Sequence, residues 1–136
     1  MAKTNKTRSS KSDSARKLAI EAARLAEADN AQDILVLDLR NISPVTDYFV
    51  ICTGTSGRQM RAAAEHVMEY GASVSQKVWH AAGLDGGEWI CLDFVDVVVH
   101  LFDQTKRRYY DLELIWGEAP RVSWQRRKTI SKDSTE

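Results

Sequence analysis

The 136-residue chain predicts an α/β fold, a mixed five-stranded sheet with helices packed on it. Three observations lead there. Strand-like apolar runs come in adjacent pairs, which calls for antiparallel hairpins or wide loops. A helical stripe follows the second run, which permits one parallel crossover. The stretch from Glu88 to Phe102 alternates with a period of two on both sides of a turn.

Leu18, Ala22 and Leu25 recur at helical spacing with Ala19 and Ala26 beside them, so a helix is expected from Ser14 to about Asn30, capped by Ser12, Asp13 or Ser14. Ile34 to Leu39 is short and nearly all apolar, a strand buried on both faces. Pro44 interrupts the next loop before Tyr48 to Cys52 resumes as a second strand. Ser56 is placed to cap a helix from Arg58 through at least Tyr70, with Met60, Ala63, Ala64, Val67 and Met68 facing inward. Val78 to Ala82 forms a third strand, Gly83 to Gly87 a loop, and Glu88 to Phe102 strands four and five. Gln104 to Trp116 is the final helix, closed by Gly117 and Pro120.

In the strand pair, Ile90, Leu92, Phe94, Val97, Val99 and Leu101 fall on one face. Trp89, Cys91, Asp93, Asp96, Val98 and His100 fall on the other. That second set is intermediate between core and solvated surface, a composition suited to a face covered by something else.

The formal net charge of zero conceals a division. Residues 1–17 carry six basic and one acidic side chain and residues 121–136 carry five and two, leaving eight basic and sixteen acidic residues between them. An acidic body repels phosphate backbones and attracts basic proteins. Only the basic ends suit nucleic acid, and the alternative for each is a solvated, disordered tail. Cys52 and Cys91 sit in apolar runs without metal-ligand spacing, as free thiols of a reducing compartment do. No apolar run reaches the roughly 18 residues of a membrane span and no signal-peptide core is present, so a cytoplasmic protein is expected.

Few residues offer catalytic chemistry. Gly54 to Arg58 lies between a strand and a helix, where an anion can bind. It lacks the lysine of a P-loop and the glycine spacing of a dinucleotide fingerprint, so a capped turn is favoured. Asp93 and Asp96 are three apart and far downstream of it, a poor match to a two-metal site. His66, His80 and His100 are isolated, and neither cysteine has a base partner evident in the sequence. In the last helix Tyr109, Leu112, Ile115 and Trp116 form the core face, which leaves Tyr110 and Leu114 as a second apolar pair.

Three blocks, Thr46 to Ser56, Glu88 to His100 and Arg108 to Trp116, resemble the ribosomal silencing factor family, also called Iojap-related proteins. The resemblance covers roughly residues 15–117. It implies a fold related to nucleotidyltransferases without their activity, no cofactor, and a non-enzymatic repressor of translation. Its implied partner is the large ribosomal subunit, held through large-subunit ribosomal protein fourteen, so that the small subunit cannot join when nutrients are short. Trp89 and Tyr110 match family contact positions, Asp93 and Asp96 lie in the same motif, and Val98 and Leu114 complete the expected partner-binding set. Where the family usually has glycine before the second aspartate, this chain has Val95, a residue that resists positive φ.

The expected organisation is therefore a disordered basic tail over 1–14, one ribosomal silencing factor domain over 15–117 and a basic, flexible tail over 118–136. Contacts of the tails with ribosomal RNA and a homodimer are the further partner expectations. The alternative is a nucleotide-binding or nucleotidyltransferase-like enzyme using Gly54 to Arg58, and a weaker one is an RNA chaperone acting through the tails.

Overall fold

The computed structural model describes residues 2–109 and 118–126, with side-chain environments for 13–107 and 118–126. Its elements are helix α1 (Ala2–Ala28), strands β1 (Gln32–Asp38) and β2 (Tyr48–Thr53), helix α2 (Gly57–Ser73), strands β3 (His80–Ala82), β4 (Trp89–Asp93) and β5 (Val97–Phe102), and helix α3 (Gln104–Tyr109). The sheet order is β1-β2-β5-β4-β3. Only the β2–β5 pair is parallel, the connection that the intervening helix makes possible. The mixed five-stranded α/β architecture is thus as the sequence predicts.

One sheet face carries the main core. Val36, Tyr48, Val50, Cys52, Ile90, Leu92, Val97, Val99 and Leu101 meet Leu18, Ala19, Ala22 and Ala26 of α1 and Met60, Ala63, Ala64 and Val67 of α2. The small alanines let α1 lie close to both α2 and the strands, and each buried aliphatic side chain contributes about 1.5–3 kcal/mol. A smaller cluster, Leu37, Leu39, Ile51, Phe102 and Ala119, lies on the second face with Phe49 beside it. β1 is accordingly buried on both sides at Val36 and Leu37.

α2 starts as expected. Ser56 accepts the Gln59 N–H at 3.1 Å, and Gln59 Oε1 accepts the Thr55 N–H at 2.9 Å. Gly71 does not end the helix, which continues to Ser73.

Three expectations need correction. Residues 2–28 contain no proline or glycine, and α1 runs through them without interruption. Ser12, Asp13 and Ser14 are therefore interior to α1 and do not cap it, and residues 2–14 of the expected tail are helical. The third strand begins at His80, two residues later than expected. The packed structure also continues past residue 117. Val122 N–H donates to the Val36 carbonyl and Asp38 N–H to the Pro120 carbonyl, both at 2.8 Å. Val122 and Trp124 are buried, and Arg24 Nε holds the Trp124 carbonyl at 2.7 Å. These apolar side chains have core to cover, so residues 118–126 are not a free tail; 127–136 lie outside the described residues.

Candidate protein-docking face

The second sheet face is where the unusual side chains converge. Period-two alternation places Trp89, Cys91 and Asp93 of β4, Val98, His100 and Phe102 of β5, and Phe49 and Ile51 of β2 on it together. Gly83 helps set Trp89. Its φ is +81°, and a Cβ there would come within 1.9 Å of the Trp89 carbonyl oxygen, so only glycine fits beside the start of β4.

Trp89 is held in place while remaining 37% exposed. Its ring stacks on Phe102 with centroids 5.1 Å apart, and its Nε1–H donates to His100 Nδ1 at 3.2 Å. His100 stacks on Phe102 in turn and meets Phe49 edge-on at 4.8 Å. Burial pushes the His100 pKa down to about 4, so its imidazole is neutral near pH 7. With Nδ1 accepting from Trp89, the remaining proton sits on Nε2, which is buried and has no hydrogen-bond partner among the described residues. The isolated histidine of the sequence is thus a structural link that fixes the tryptophan.

The β4–β5 connection is the most strained part of the face. Val95 adopts φ +77°, and Asp96 N–H donates back to the Phe94 carbonyl at 3.0 Å. A bond from residue i+2 to i around a positive-φ residue is a γ-turn of the rare, strained kind. A β-branched L-residue there costs at least about 1–2 kcal/mol. The surroundings over-determine it: Asp93 Oδ1 accepts the Val95 N–H at 2.7 Å, and the Asp96 carbonyl accepts the N–H groups of Asp47 and Tyr48 at 3.0 and 3.1 Å. The question raised by valine in this position is answered by the fold, which keeps the positive φ.

Beside this turn lies an open groove of about 700 Å³, walled by Ser43 to Thr46, Phe49, Trp79, Asp93, Val95, Val98 and His100. Val45 is 79% exposed, Trp79 73% and Val95 54%. Burial and the nearby Asp96 carboxylate push the Asp47 pKa up, which marks the edge of this region as acidic.

Of the residues expected to contact a partner, Trp89, Asp93 and Val98 share this face, and Asp96 lies in the turn at its rim. Tyr110 and Leu114 lie outside the described residues. Trp79, Val45 and Val95 were not part of the expected set. The available signal for Trp79 was a large aromatic next to the start of a short strand.

The other candidates take quieter roles. At Gly54 to Arg58, Ser56 Oγ accepts the Gln59 N–H, Gln59 Oε1 accepts the Thr55 N–H, and a Cβ on Gly54 would come within 2.0 Å of Met60 Cγ. Cys52 is fully buried, and burial pushes its thiol up to about 12; burial also raises Cys91. His66 Nδ1 pairs with Asp29 Oδ2 at 2.6 Å, tying α2 to the end of α1 and raising the histidine's pKa. Among the described residues no three His, Cys, Asp or Glu side chains are grouped to hold a metal ion, and no helix is long and apolar enough to cross a membrane.

Helices α1 and α2 on one face of a mixed sheet, with a pre-positioned tryptophan and an apolar groove on the other, define an α/β domain with a candidate docking face. The chain matches the family model described as ribosomal silencing factor during starvation over residues 12–136, and it belongs to that family. It is 41% identical over 99 residues to the ribosomal silencing factor RsfS of Bacillus subtilis, covering 73% of this chain and 84% of the relative. It is 34% identical over 95 residues to the mouse protein named mitochondrial assembly of ribosomal large subunit protein 1, covering 68% of this chain and 42% of that longer protein. A crystal structure of a Chromobacterium violaceum protein superposes with a TM-score of 0.70 at 32% identity, covering 86% of this chain and 94% of that one.

Proposed function

We propose that the protein is a non-enzymatic translational repressor that docks through the second sheet face on the large ribosomal subunit. Its partner there is large-subunit ribosomal protein fourteen, and its bulk excludes the small subunit. The observation that carries this reading is Trp89, oriented by His100 and Phe102 before any partner arrives yet 37% exposed. A rigid aromatic of this kind loses little entropy on binding and is the side chain most often found at the energetic centre of an interface. The acidic excess of residues 18–120 suits a basic ribosomal protein and opposes direct docking on RNA. The family membership and the printed names of the relatives supply the ribosomal context. The cationic ends are assigned to ribosomal RNA beside that docking site, and the place of action is the cytoplasm.

Purified protein preincubated with large subunits should lower the fraction of joined ribosomes formed when small subunits are added, in proportion to large-subunit occupancy. Sucrose-gradient profiles read this directly. Normal joining at full occupancy would remove the steric mechanism. Calorimetry with a nucleoside triphosphate and magnesium addresses the enzyme alternative, and the docking reading predicts no heat of binding.

A further inference from the structure

We infer that the groove between the 43–46 loop, Trp79 and the Val95 turn is a second anchor pocket of the docking face, receiving an apolar side chain of the partner protein with a basic residue beside it. The inference rests on the docking reading above and adds a site to it.

Three observations support the pocket. Val45, Trp79 and Val95 expose apolar surface around one groove, where an isolated monomer would gain from polar side chains. Val95 is held at φ +77° by bonds from Asp93 and Phe94, so the fold sustains strain at the position that walls this groove. Finally, His100 belongs to both halves of the face, lining the groove and accepting the Trp89 Nε1–H, so the pocket is continuous with the tryptophan.

The occupant follows from charge. The turn and loop that wall the groove carry Asp93 and Asp96 on one side and lead into Asp47 on the other. A second copy meeting this face across a two-fold axis would bring the same carboxylates against themselves. Phosphates of RNA would be repelled as well. A protein segment with an aliphatic or aromatic side chain flanked by lysine or arginine satisfies both the apolar walls and the acidic rim.

Co-sedimentation with purified large subunits tests this with wild type, Trp89→Ala, Trp79→Ala and Val95→Gly, each checked for folding by thermal melting. Trp79 is exposed, so its replacement should fold normally and bind about tenfold more weakly. Val95→Gly should melt at a higher temperature because the turn is relaxed, and should nevertheless bind several-fold more weakly. A purely structural role for Val95 would leave binding unchanged or improved. Weaker binding by Trp89→Ala with wild-type binding by both groove variants would overturn the pocket and leave the docking reading standing. Failure of wild type to bind would overturn both. Sedimentation velocity covers the competing occupant: conversion of a dimer to monomer by Trp79→Ala, with subunit binding unchanged, would give the groove to a second copy and overturn the assignment.

Discussion

Replacing Phe102 by alanine is expected to destabilise the fold by about 3–5 kcal/mol, the range for deleting a buried phenyl ring. Phe102 is fully buried at the end of β5, in the smaller cluster with Leu37, Leu39, Ile51 and Ala119. The backbone offers no easy collapse into the space left, because Phe102 pairs with Thr53 on one side and Trp89 on the other, and its carbonyl accepts the Gly54 N–H at 2.7 Å. The ring also stacks on both Trp89 and His100. The variant should therefore lose the fixed orientation of the tryptophan along with stability. Urea denaturation should show a lower midpoint with an unchanged slope. A loss below about 1 kcal/mol would be incompatible with a close-packed ring at this position.

The second large effect is on acid stability. His100 has an ordinary pKa of 6.5, and burial lowers it to about 4 in the folded protein. Above pH 6.5 the imidazole is neutral in both states and contributes no pH dependence. As the pH falls from 6.5 toward 4, the unfolded chain takes up a proton that the folded chain refuses, so stability declines through that window and levels off below it. At about 1.36 kcal/mol per pH unit, the full loss is about 3 kcal/mol. His66 works in the opposite direction, since Asp29 raises its pKa and its pairing stabilises the fold below 6.5. It is half exposed, and its contribution is the smaller. Denaturation at a series of pH values should show wild type losing stability between pH 7 and 4. A His100→Phe variant should lose about 3 kcal/mol less over the same interval, and equal losses would show that His100 is not buried neutral.

The parts of this fold that were legible in the sequence depend on local chemistry. The alternation of Glu88 to Phe102 sorts two faces because a strand's side-chain period is fixed, and the structure separates Ile90 and Leu92 from Trp89 and Cys91 as that period requires. Ser56 caps α2 because its hydroxyl reaches an amide three residues on. Val95 stood out only through the family resemblance, since the family usually has glycine there and β-branched residues resist positive φ. The groove was not legible. Its walls come from three separate segments, around residues 45, 79 and 95, and nothing local to any of them indicates that the topology brings them together. The return of Val122 and Trp124 onto α1 and β1 was hidden for a related reason: a basic flanking composition outweighed two apolar residues whose burial depends on distant partners.

Trp89 carries the central claim, and isothermal titration of the protein with purified large-subunit ribosomal protein fourteen tests it most directly. Wild type should bind. Trp89→Ala, folded by circular dichroism, should bind more weakly by about 2 kcal/mol or more, a loss of roughly thirtyfold in affinity. Absence of wild-type binding, or equal affinity for the folded variant, would contradict the assignment of this sheet face as the docking surface.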